Sequence, residues 1–71
     1  MKYLVVIERG PRSYGAYVPD LPGCVAVGKT AAEVRRLIRE AIELHVADLK
    51  ERGGPIPRPA SAGELVELKA A

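Results

Sequence analysis

The run Pro19-Asp20-Leu21-Pro22-Gly23 constrains this chain more than any other stretch. Neither proline has the N–H that a strand ladder or a helix interior needs, so no central strand and no helix crosses it. Upstream, Lys2 to Glu8 contains Leu4-Val5-Val6-Ile7 and predicts a strand with both faces partly covered. Gly10-Pro11-Arg12-Ser13 is turn chemistry, and Ser13 to Val18 predicts a second strand with Tyr14 and Tyr17 on opposite faces. The two make a hairpin. Downstream, Cys24 to Val27 resumes β character and Gly28 ends it.

Thr30-Ala31-Ala32-Glu33 is a capping box, with the Thr hydroxyl accepting from the Glu33 amide and the Glu33 carboxylate reaching back to the Thr30 amide. The helix it opens is predicted to run to about Arg52, where Gly53-Gly54-Pro55 stops it. Val34, Leu37, Ile38, Ala41, Ile42, Leu44, His45 and Leu49 fall on an arc about 160° wide, enough to lie flat on a sheet. Arg36, Arg39, Glu40, Glu43 and Lys50 lie opposite, with Arg36–Glu40 and Arg39–Glu43 spaced for ion pairs. Residues 53–61 are extended, with polyproline character. Residues 64–70 alternate and predict a short edge strand. A helical turn is the alternative, since Ala, Glu, Leu and Lys are good helix formers. The expected order is β-β-β-α-β, an α+β antiparallel sheet with one helix packed on one face, in a single domain over residues 1–71. The other sheet face is left to meet a partner subunit.

A chain of 71 residues buries only about 60% of its unfolded surface. Domains this small commonly add disulfides, a metal or self-association. One cysteine, Cys24, excludes an intrachain disulfide, and one histidine, His45, beside it makes a four-ligand zinc site implausible. Self-association is the expected reinforcement. No apolar run reaches a membrane span, and the N-terminus lacks a signal peptide's longer apolar region, so the expectation is a cytoplasmic protein. Positive charge is not gathered in one block. Residues 1–29 carry four basic and two acidic groups, residues 30–52 five of each, and residues 53–71 two of each. A dedicated nucleic-acid binder concentrates its cations on one face.

Few residues invite chemistry. A nucleophilic pair of Cys24 and His45 needs hydrogen-bond reach and an orienting group, whereas His45 sits within the helix's apolar arc and reads as a packed histidine. Asp20, between the prolines, reads as the acid that holds its own turn, because Asp48 is the one other aspartate and a metal-dependent phosphoryl-transfer site wants several convergent carboxylates. Arg35, Arg36 and Arg39 are interleaved with Glu33, Glu40 and Glu43, the pattern of a solvated, salt-bridged face. No phosphate-cradling glycine loop occurs. These residues predict no enzyme, no metal and no cofactor.

The run Tyr14-Gly15-Ala16-Tyr17-Val18-Pro19-Asp20-Leu21-Pro22-Gly23-Cys24 resembles the signature of the HicB-like antitoxin family. The resemblance continues through Gly28, Thr30, Glu33, Glu40 and Ala41 to Gly54-Pro55-Ile56-Pro57-Arg58-Pro59. It implies a partial RNase H fold in β-β-β-α-β order. It also implies binding rather than catalysis: self-association as a dimer or tetramer, and neutralisation of a HicA-type toxin, a small mRNA-cleaving protein of a prokaryotic toxin-antitoxin system. Tyr17, Pro19, Asp20, Leu21, Pro22, Gly23 and Cys24 are then the candidate partner surface. Many family members carry a C-terminal DNA-binding domain. This sequence stops at Ala71, just after the expected last strand, so direct DNA binding is not expected of it alone. Lys29 stands where the family usually has an acid, and Val34 where it usually has alanine. The alternative reading is an orphan oligomeric module that binds nucleic acid or a small ligand.

Overall fold

In a computed structural model that describes residues 1–69, three short strands precede one long helix: β1 (Val6–Arg9), β2 (Tyr14–Tyr17), β3 (Val25–Gly28) and α1 (Ala31–Glu51). The strands form an antiparallel sheet in the order β1-β2-β3. Val6 pairs with Tyr17, and Tyr17 with Val25. The α+β class and the helix on one face are as the sequence predicts. β1 and β2 are shorter than expected, and β3 keeps its expected length one residue later. β2 offers no partner beyond Tyr17, because Pro19 turns the chain away, so β1 begins at Val6 rather than Lys2. The residues before it still pack, with Tyr3 and Val5 against the core.

Two consecutive turns explain the proline run. The Leu21 amide donates to the Val18 carbonyl (3.0 Å) and the Cys24 amide to the Leu21 carbonyl (3.1 Å). Each turn has proline in its second position, and Gly23, at φ +83°, supplies the left-handed third position of the second. The Val18 amide, donating to the Cys24 carbonyl at 3.2 Å, closes the loop. Leu21, at the corner the turns share, is driven inward and is fully buried.

Helix α1 starts where the capping box predicts, with the Glu33 amide donating to Thr30 Oγ1 at 3.0 Å. The reciprocal bond differs by one residue, since Glu33 Oε1 accepts from the Lys29 amide (3.0 Å) rather than from Thr30. At the far end the Gly53 amide donates to the Lys50 carbonyl and the Gly54 amide to the Leu49 carbonyl, with Gly53 at φ +71°. That is the Schellman stop. The helix meets the sheet at very short range. A Cβ added to Gly28 would lie 2.9 Å from the Val34 nitrogen, so only glycine fits the end of β3.

Ala16, Val18, Leu21, Cys24, Val34 and Ile38 form the buried core. Ala41, Ile42 and Val46 extend it along the helix. The predicted arc therefore shifts, because Val46 packs inward while Leu44 is exposed.

The fourth strand expected over residues 64–70 does not form on this chain. Residues 54–69 adopt neither strand nor helix, and residue 70 lies outside the described residues. Leu65, Val66 and Leu68 stand in solvent.

Candidate functional site

The signature loop divides into a buried and an exposed half. Leu21 and Cys24 are core side chains, so neither is offered to a partner. Burial pushes the Cys24 thiol above its ordinary range, which makes it a poor nucleophile. Tyr17, Pro19, Pro22 and Gly23 are exposed. No group of three or more His, Cys, Asp or Glu able to hold a metal occurs among the described residues.

Asp20 has a role that residue spacing did not show. Its Oδ2 accepts from the backbone amides of Ala60 (2.9 Å) and Ser61 (3.0 Å), and its Oδ1 accepts from the Ser61 hydroxyl (2.8 Å). These three bonds hold the carboxyl below its ordinary range, the backbone donors contributing most. The acid expected to hold its own turn instead pins the chain that returns from the helix. Tyr3 adds a second pin through its hydroxyl, which donates to the Pro57 carbonyl. Residues 54–61 thus form a strap running from the end of α1 to the signature loop.

Beside the loop, the sheet face away from the helix is apolar and open. Val6, Tyr17 and Val25 form one cross-strand row, and Val27 points to the same side. Tyr17, Val25 and Val27 are 41%, 63% and 67% exposed. Adjacent exposed apolar side chains of this kind are suited to a protein contact.

A second opening lies between β1 and α1. It is a groove of about 670 Å³ floored by Tyr3, Val5, Ile7, Ile38 and Ile42, with Arg35, Arg39 and Glu43 along the helix side. Sequence spacing pairs Arg39 with Glu43. In the structure Arg36 pairs with Glu40 (3.2 Å) and Asp48 with Arg52 (3.2 Å), while Arg35 and Arg39 make no ion pair among the described residues. Asp48 is therefore taken by Arg52, and His45 is half-buried on the helix. The groove was hidden from helical spacing alone. The odd-numbered residues of the first strand, read against helix positions 35, 38, 39 and 42, are the signal that finds it.

Comparison with known proteins assigns the fold to a family. The family model described as HicB_like antitoxin of bacterial toxin-antitoxin system matches residues 3–70. The chain belongs to the HicB-like antitoxin family. A UPF0150 protein of Thermoplasma acidophilum is 42% identical over 59 residues, covering 82% of this chain and 86% of the relative. A UPF0150 protein of Thermotoga maritima is 36% identical over 70 residues, covering 94% and 89%. A UPF0150 protein of Helicobacter pylori is 51% identical over 45 residues, a match spanning 63% of this chain and 62% of the relative's length. Among solved structures, a chain of a HicA3 and HicB3 toxin-antitoxin complex superposes with a TM-score of 0.71 at 30% identity, covering 84% of this chain and 70% of that one. Membership in the HicB-like antitoxins suggests a regulatory rather than a catalytic role. No helix among the described residues is long and apolar enough to cross a membrane.

Proposed function

We infer that this chain is an antitoxin domain that self-associates in the cytoplasm and binds and neutralises a HicA-type toxin. The observation that carries the reading is the likeness, at 30% identity, to a chain of a toxin-antitoxin complex. The surface we assign to the toxin is the open sheet face with the exposed half of the signature loop: Tyr17, Pro19, Pro22, Val25 and Val27. It is apolar at its centre and rigidly backed, because Leu21 and Ala16 behind it are buried. Aromatic and aliphatic anchors on such a rigid patch are what a stable protein contact uses. The buried members of the signature, Leu21 and Cys24, serve by fixing the loop. Asp20 serves by fixing the strap against it.

Co-expression tests the reading. The chain is produced with the HicA-type toxin encoded beside its gene, and growth and co-purification are scored. The expected result is rescue and a complex, both lost in Val25→Asp/Val27→Asp, whose side chains are exposed and do not support the core. A toxin that kills equally with and without the chain overturns neutralisation.

A further inference from the structure

The segment after Ser61 has the alternation of a strand; Gly63 lies against Leu4, and the residues beyond it pair with no strand among the described residues. Among the described residues, 62–69 make no hydrogen bond, and Leu65, Val66 and Leu68 are 105%, 73% and 77% exposed. The molecule is drawn out accordingly. Its radius of gyration is 14.2 Å, where a compact chain of this length has about 11 Å. Its longest dimension is 52 Å, well beyond the roughly 32 Å of a 21-residue helix. On the body, β1 is an edge strand whose outer side is unpaired, and it borders the apolar groove against α1. A bare edge beside an apolar groove accepts an added strand.

We propose that residues 64–69 of a second copy of this chain add to the β1 edge and fill the groove between β1 and α1, making a strand-exchanged dimer. The side-chain order fits. In a strand, Glu64, Val66 and Leu68 share one face at steps of about 7 Å. Along α1, Arg35, Ile38 and Ile42 recede from the start of the groove, each successive pair separated by about 4.5 to 6 Å. A tail running in the direction of α1 brings Glu64 to Arg35 and lays Val66 and Leu68 on Ile38 and Ile42. Arg35, which has no ion pair among the described residues, gains one. Leu65, on the other face, extends the apolar row of Val6, Tyr17 and Val25. The segment that fails to form a strand on its own chain forms one on its neighbour's.

The interface rests on and deepens the self-association in the proposed function; its groove lies apart from the toxin-facing sheet, which the added strand borders only through Leu65. Light scattering and sedimentation of the full chain at micromolar concentration test it. The wild-type chain is expected to be a dimer. Val66→Asp/Leu68→Asp, both positions in solvent in the single chain, is expected to be monomeric with unchanged helical circular dichroism, a weakening of at least about 100-fold. Glu64→Arg weakens the dimer about tenfold, and adding Arg35→Glu restores it. A monomeric wild-type chain, or a dimer indifferent to both changes, overturns the exchange. A monomer that still binds toxin removes this interface alone, and a dimer that ignores the toxin removes the antitoxin reading alone.

Discussion

Asp20 shows how much one residue organises here. Flanked by the two prolines, it lies outside any ladder, and its carboxylate gathers three donors from Ala60 and Ser61. Its turn was legible because proline and glycine announce themselves locally. Its partners were not, since they lie forty residues on and no spacing rule spans that distance. The lowered carboxyl value sets the sign of a pH effect. The contact stabilises the fold above the ordinary value of 3.8, where the unfolded carboxyl is also ionised, and is lost as pH falls through the lower folded value. Asp20→Asn is therefore expected to speed hydrogen exchange at the Ala60 and Ser61 amides at neutral pH. In the wild-type chain, acid is expected to lower the protection of the same two amides relative to their intrinsic exchange rates at that pH. Exchange rates followed by NMR check both, and unchanged protection in the variant contradicts the clamp. Cys24 gives the opposite lesson. Its sequence context was open to a reactive thiol, whereas burial and a raised thiol value make it inert. Thiol reagents are expected to modify it only on unfolding, at a rate that follows denaturant concentration.

The elements were legible at their ends and less so in their facing. The capping box and the double glycine placed both termini of α1, because each end satisfies its own backbone groups locally. Which side chains lie inward was off by part of a turn. Leu44 is exposed and Val46 packed, since a helical wheel cannot show where the sheet lies. The junction of β3 and α1 is the tightest contact between elements. An alanine at Gly28 would press its Cβ against the Val34 backbone, which a side-chain rotation cannot relieve. Gly28→Ala is expected to cost about 1–3 kcal/mol, read as a lower denaturation midpoint with an unchanged slope. A neutral substitution would mean that the helix can lift from the sheet. The last strand misled the reading for a different reason. Alternation at residues 64–70 records a preference for pairing, not the strand that will be paired with.

At the scale of the whole molecule, the core is small for what the chain must hold. Six apolar residues are buried, while nine large apolar side chains are exposed among the described residues. That imbalance gives physical content to the shortness of the sequence. Eight of the nine sort into two surfaces and a tail, Leu44 on the helix being the exception: the sheet face beside the signature loop, the groove beside β1, and residues 65–68. The family likeness was carried by the proline turns, whose geometry needs those residue types. Of the open surfaces, the free sheet face followed from a single helix on the other side, whereas the groove was not visible, because it depends on which strand lies at the edge.

The central claim, neutralisation of a HicA-type toxin, is tested most directly by titrating the purified chain into the neighbouring toxin and following cleavage of an RNA substrate. Cleavage is expected to fall to background near equimolar chain, and to persist when the chain carries Val25→Asp/Val27→Asp. Full cleavage in the presence of excess wild-type chain would contradict the account.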